Sequence, residues 1–261
     1  MDLGLRGRAA IVMGCSSGMG RAVAQMLARE GTSLTLFARR AELLDDLADE
    51  LATANVRVQV VTGDATAPGA IERLVEDAAT FHGHLDVLVH NVGGPPPGTA
   101  LGLEPDAVRK ALELTVLTAT RAARAVVPHM SQQRFGRIVS IESTSIRQPI
   151  ANLALSNTLR PAVAGFFKTL ASEVGALGIT VNTVCPGYTR TERLADLARR
   201  TAEREGKAVE AVEADWARAT AIGRIATPEE VAAAVVFLCS EQAASITGTL
   251  LPVDGGSLRG T

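Results

Sequence analysis

The chain has 261 residues, 47% apolar and 21% charged, which supplies the apolar surface for a packed core and excludes a mainly disordered chain. A formal net charge of −2 excludes the strongly basic footprint of a nucleic-acid or anionic-membrane binder. Aromatic residues make up only 3%, too few for a platform that stacks single-stranded bases.

Taken in chain order, apolar runs of strand length alternate with amphipathic runs of helix length. Strands are expected at 9–13, 33–38, 56–62, 85–89, 137–141, 180–184 and 249–253. Several are rich in Val, Ile and Leu without polar alternation, as in strands buried on both faces of a parallel sheet. Helices are expected at 21–29, 41–53, 70–81, around 104–130 and 159–177, and at 228–238. Leu43, Leu44, Leu47 and Leu51 share one face of the second. Thr227 reads as the N-cap of the last, with Glu229 and Glu230 in its first turn. Such a β-α-β series gives an α/β, doubly wound sheet with helices on both faces, and one domain over 1–261.

Two segments depart from the alternation. Gly93-Gly94-Pro95-Pro96-Pro97-Gly98 is a rigid loop after the fourth strand, and 191–215 is the most charged stretch. A helical hairpin inserted there is either a solvated surface feature or a lid over the carboxyl ends of the strands, where ligands bind in open α/β sheets.

Cys15, Cys185 and Cys239 lie far apart with no metal-ligand spacing, so no metal site is expected and reduced packing thiols are. The first six residues lack the apolar core of a signal peptide. The longest apolar run, 231–239, is about half a membrane span. The expectation is a cytoplasmic protein with no membrane and no nucleic-acid partner.

Gly14-Cys15-Ser16-Ser17-Gly18-Met19-Gly20 follows the first strand and opens the first helix. Glycines at 14, 18 and 20 permit a tight turn and close approach of backbone to phosphate, while the helix N-terminus offers N–H groups to a pyrophosphate. An NAD site usually places an acid at the end of the second strand. Here Phe37-Ala38-Arg39-Arg40 stands instead, and a guanidinium fork suits a 2′-phosphate, so NADP(H) is the expected cofactor.

These residues resemble the short-chain dehydrogenase/reductase family over nearly the whole chain, and its 3-oxoacyl-carrier-protein reductase branch most. The resemblance rests on the glycine loop, although the family's usual threonine before it is Met13, and on Asp64 after the third strand. It rests also on His90-Asn91-Val92-Gly93, on the strand 136–141 leading to Ser143, and on Pro186-Gly187-Tyr188-Thr189-Arg190-Thr191. Gly223-Arg224, Pro228-Glu229-Glu230, Thr247-Gly248 and Val253-Asp254-Gly255-Gly256 complete it.

The resemblance implies a single Rossmann domain with a seven-stranded parallel sheet, and a homotetramer or homodimer formed through the two long central helices. The small residues Ala162, Ala164, Gly165 and Ala171 would permit close packing there, or equally against the subunit's own sheet. It assigns cofactor contacts to Gly14, Ser16, Ser17, Gly18, Met19, Gly20, Arg39, Arg40, Asp64, Ala65, Asn91, Gly93, Arg160, Pro186, Gly187, Thr189 and Thr191. Asp64 would meet the adenine ring, and a threonine of the Pro-Gly turn the nicotinamide carboxamide.

The catalytic pattern breaks. The family places a tyrosine 13 residues after the catalytic serine and a lysine four further on. Here Ser143 is followed at those positions by Ser156 and Arg160, and the usual asparagine aligns with Thr115. A serine hydroxyl is a poor proton donor at neutral pH, and arginine never releases its proton. Arg160 can still grip ribose hydroxyls or an anion. Tyr188, the only tyrosine, is either the substitute acid or a wall of the pocket. Strand alternation sends Glu142 away from Ser143. His90 reads as a brace for its turn.

The resulting expectation is an NADP(H)-dependent oxidoreductase acting on a small-molecule substrate, with Ser143, Ser156, Arg160, Tyr188 and Thr115 as catalytic candidates. The loop at 95–98 would be a preformed wall of the pocket and 191–215 a mobile lid. The alternatives are a lyase, isomerase or cyclase on the same fold, or a silent NADP-binding module or partner subunit.

Overall fold

A computed structural model describes residues 1–260. Seven parallel strands form one sheet: β1 (Ala9–Met13), β2 (Ser33–Ala38), β3 (Val58–Thr62), β4 (Val87–His90), β5 (Gly136–Ile141), β6 (Ile179–Pro186) and β7 (Leu250–Val253), in the order β3-β2-β1-β4-β5-β6-β7. Val12 lies opposite Leu36 on one side and Val89 on the other, so the centre of the sheet is hydrocarbon on both faces. That is the α/β, doubly wound arrangement expected from the unalternated apolar runs.

Alternation along β1 sorts the core into two layers. Ala10 and Val12 face α1 (Gly18–Arg29), α2 (Ala41–Leu51) and α9 (Pro228–Cys239), through Val23, Leu27, Leu44, Leu47, Val231 and Val235. Ile11 and Met13 face α3 (Ala70–His82), α5 (Thr118–Gln132) and α6 (Ala154–Val174), through Leu74, Ala78, Ala122, Val126, Val163 and Phe167. Burying each large side chain contributes about 1.5–3 kcal/mol before chain entropy is set against it.

Several element ends differ from expectation. The helix expected at 21–29 starts at Gly18, which puts the last two loop glycines in its first turn. The strand expected at 85–89 is shifted to end at His90. The long helical stretch is two helices, α4 (Pro105–Leu112) and α5, joined through one π turn at Glu113–Leu117. The next helix begins at Ala154, five residues before the expected start, because Leu155 and Leu159 pack on Ala111 of α4. This extension places Ser156 and Arg160 one turn apart on a regular helix.

Between β6 and α9 the chain forms α7 (Glu192–Glu205) and α8 (Val209–Arg218), a helical pair packed together over the carboxyl edge of the sheet. The strand order reverses between β1 and β4. Loops leaving these two strands in opposite directions open a crevice at Gly14 and Asn91, where such sheets bind ligands. Among the described residues no helix is long and apolar enough to cross a membrane.

Candidate active site

Two glycines shape the first half of the site. Gly14 has φ +61°, and a Cβ there would lie 2.4 Å from the Asn91 carbonyl oxygen. A Cβ on Gly20 would lie 2.4 Å from the Gly14 carbonyl oxygen, so strand and helix touch backbone to backbone. Asn91 fixes the turn by donating from Nδ2 to Gly14 O at 3.0 Å. Only glycine fits this cradle, and the N-terminus of α1 opens directly above it.

The cradle continues into a cavity of about 770 Å³. Gly14, Ser16, Ser17, Gly18, Met19, Arg39, Arg40, Asp64, Ala65, Asn91, Gly93, Arg160 and Thr191 all line it. Arg40 donates to Ser16 Oγ at 3.1 and 3.2 Å and to Ser17 Oγ at 2.6 Å, and pairs with Glu192 at 3.0 Å. Arg39 makes none of these bonds and lies open in the cavity. Asp64 accepts from the Thr66 amide and hydroxyl, and these bonds hold its carboxyl below the usual range. A loop with close backbone approach, a helix N-terminus and two guanidiniums at the end of β2 fit a phosphorylated dinucleotide.

A second cavity, of about 400 Å³, adjoins the first and shares Met19, Glu142, Arg160, Thr191 and Arg193 with it. Ser143, Ser156, Pro186, Gly187, Tyr188 and Thr189 line it. Ser143 Oγ accepts from the Ser145 amide at 3.1 Å, which leaves its hydroxyl proton free to be donated. Ser156 is buried on the first turns of α6 and faces the same space. Thr191 caps α7 by accepting from the Leu194 amide at 3.2 Å. Tyr188 stacks on Trp216 with centroids 4.9 Å apart and planes 9° apart. Burial raises its phenol pKa, so it is a weaker acid than a free tyrosine, and the geometry is that of a wall.

Thr115 lies apart from both cavities. It is buried in the π turn, where its hydroxyl donates to Ala111 O at 2.7 Å, so it braces its own helix. The loop at 95–98 is not a wall of either cavity. It is tied to the site from outside: Arg193 donates to Pro95 O at 2.8 Å, and Gly98 pairs with Leu153.

Glu142 does not point away. It lines both cavities, on the same face of the extended chain as Ser140, and Ser143 lines the second cavity beside it. Its Oε2 accepts from Arg160 Nη1 at 2.8 Å. Its Oε1 accepts from Ser140 at 2.6 Å. Ser140 Oγ in turn lies 3.1 Å from His90 Nδ1, and His90 Nε2 lies 3.2 Å from Thr118 Oγ1. A carboxylate only accepts, so Ser140 spends its proton on Glu142, while Thr118 spends its own on Leu114 O at 2.6 Å, and the neutral imidazole has one N–H to share between these two hydroxyl oxygens. His90 is fully buried, and desolvation together with the Arg160 charge pushes its pKa down to about 3. It is a neutral brace, as expected. The other residue that sequence reasoning passed over is Arg193, whose only signal was its place within a charged run.

The chain matches the family model described as enoyl-(acyl carrier protein) reductase over residues 14–257. It is 33% identical over 249 residues to the short-chain reductase protein NovJ of Streptomyces niveus, covering 95% of this chain and 92% of that protein. It is 35% identical over 250 residues to cis-4-hydroxycyclohexanecarboxylate dehydrogenase of Sinomonas cyclohexanicum, covering 95% and 96%. The crystal structure of L-sorbose reductase from Gluconobacter frateurii, complexed with NADPH and L-sorbose, superposes with a TM-score of 0.94 at 34% identity, covering all of both chains. With the sheet order, the glycine cradle and the serine at the end of β5, these matches place the chain in the short-chain dehydrogenase/reductase family of oxidoreductases.

Proposed function

We propose that this protein is an NADP(H)-dependent oxidoreductase that moves hydride to or from a small carbonyl, imine or enone substrate. The observation that carries this reading is the continuity of the two cavities, which join the nucleotide cradle to Ser143 through Glu142, Arg160 and Arg193. The solved relative that superposes over its full length binds NADPH, which supports the same cofactor here.

Bound NADP(H) supplies or accepts the hydride. The chain's own residues hold and orient. Arg39 and Arg40 with Ser16 suit the 2′-phosphate, the α1 N-terminus and Thr191 the pyrophosphate, and Asp64 with Ala65 the adenine side. Ser143 donates its free hydroxyl proton in a hydrogen bond to the substrate oxygen. Arg160 keeps its own proton, and Glu142 holds it toward the junction of the cavities. No phenol occupies the position of the usual acid, so substrates whose chemistry needs little protonation suit the site: an iminium, an activated ketone or a conjugated enone. The α7–α8 pair acts as the lid of this pocket. The assembly implied by the family resemblance is a homodimer or homotetramer through α5 and α6, and the expected compartment is the cytoplasm.

The presence of Ser156 where the acid should stand favours a second reading, in which the fold binds NADP(H) without turnover or performs a non-redox reaction. Titration with NADPH followed by a carbonyl, imine and enone screen at the absorbance of the reduced nicotinamide separates the two. Substrate-dependent loss of NADPH that disappears in Ser143→Ala supports the oxidoreductase. Conversion of substrate with no change in the cofactor overturns it.

A further inference from the structure

Around the second cavity the charges do not balance. One carboxylate, Glu142, and three guanidiniums, Arg160, Arg193 and Arg259, line it. Glu142 is committed to Arg160 at 2.8 Å, so that pair contributes no net charge. Arg193 has one bond, to Pro95 O, and Arg259 has no carboxylate partner among the described residues. Asp196, the acid that acts on Arg193 across space, is itself paired with Arg199.

Arg193 is held rather than free. Its bond to Pro95 O spans from α7 to the loop after β4. Gly94 lies flat against it, so that a Cβ there would sit 2.7 Å from Nη2. One of the five guanidinium N–H groups is used, and the residue, partly open to solvent, borders both cavities. Burial of part of the side chain and the neighbouring Arg160 push its pKa down, with Asp196 acting the other way. Arg259 is placed by Asp254, which accepts from the Leu258 amide at 2.7 Å and from Ser257 Oγ at 3.0 Å. Ile150, Leu153, Leu194 and Leu197 give the same cavity its apolar lining, beside the hydroxyls of Ser143, Thr144 and Ser156.

We propose that this pocket takes a substrate with a compact apolar body and a carboxylate, the carboxylate being gripped by Arg193 while Arg259 adds a second positive charge at the rim. The proposal rests on the reading of this cavity as the substrate pocket. A carboxylate supplies the missing counterion and matches the guanidinium fork through two parallel hydrogen bonds. The competing ligand for Arg193 is the dinucleotide pyrophosphate, since the residue also borders the nucleotide cavity.

Isothermal titration of benzoate and of benzamide, with and without saturating NADPH, tests the proposal without any turnover. The expected result is that benzoate binds about tenfold more tightly than benzamide. Arg193→Gln abolishes that preference and leaves NADPH affinity within about threefold, and Arg259→Gln reduces the preference by about two- to threefold. Equal binding of the two probes, or binding of neither, overturns the proposal. So does an Arg193→Gln variant that keeps the benzoate preference but loses about tenfold in NADPH affinity, which assigns the arginine to the pyrophosphate. A protein that selects benzoate yet reduces no carbonyl keeps the anion pocket and overturns the redox reading. One that reduces carbonyls without regard to charge does the reverse.

Discussion

Arg160 Nη1 lies 2.8 Å from Glu142 Oε2, and the two side chains are only 8% and 2% exposed. The pair stands at the junction of the two cavities. Its far side is anchored through Ser140 and His90 to Thr118. A buried pair of this kind adds little net stability, but breaking one side leaves an uncompensated charge. Glu142→Gln is therefore expected to destabilise the fold by about 3–5 kcal/mol. Adding Arg160→Met to it should restore much of the loss. Urea midpoints of the two variants check this, and an unchanged midpoint in Glu142→Gln would show that the pair does not hold the site.

Cofactor choice turns on Arg39. Arg40 is engaged with Ser16, Ser17 and Glu192, whereas Arg39 has none of these partners. Arg39→Ala is expected to weaken NADPH binding about tenfold and to leave NADH binding unchanged, the loss of one charge-assisted contact. Titration of both cofactors at matched ionic strength measures the difference.

Ser143 is the one hydroxyl placed to donate into the second cavity with its acceptor side already satisfied. Ser143→Ala is expected to lower kcat by about 10²–10³ with little change in KM, as for loss of a donor to developing charge. Tyr188→Phe, which keeps the stack on Trp216, should retain most of the turnover.

Acid should unfold this protein early. Burial lowers the pKa of His90 to about 3 and that of His82 to about 4, from an ordinary value of 6.5. Below that ordinary value the unfolded chain takes up protons that the folded chain refuses. Stability is thus complete above about pH 6.5 and falls as pH drops toward 4, by up to about 1.4 kcal/mol per pH unit for each histidine. Thermal midpoints at pH 7, 6 and 5 should decline, and His82→Gln should flatten the slope. A midpoint independent of pH over that range would contradict the burial of both rings.

The thiols should be inert. Cys15, Cys185 and Cys239 are buried, and desolvation pushes each pKa up to about 12. A chromogenic disulfide reagent should find no rapidly reacting thiol in the folded protein and three after denaturation.

The fold and the cofactor half of the site were legible in the chain because they rest on local rules. Unbroken runs such as 9–13 and 137–141 can bury both faces only in a parallel sheet. Gly14, Gly18 and Gly20 sit at a spacing that a tight strand-to-helix turn demands, and Arg39 follows directly from the end of its strand. Helix ends were less legible, since the start of α6 at Ala154 depends on packing against α4, far away in the chain.

What the tertiary structure alone decided is which side chains meet. Glu142 could not be paired from the sequence, since Arg160 lies 18 residues away and a carboxylate chooses its partner only once desolvation forces one upon it. Thr115, a catalytic candidate by counting alone, bonds back to Ala111 O within its own helix, as Thr158 and Thr169 do in α6. Arg193 reads as one charge among many until the fold sets it against Gly94 and Pro95 and leaves it without a counterion. Periodicity and spacing act within a segment and can be read from it. Charge balance in a cavity is a sum over segments brought together, and only the folded chain performs that sum.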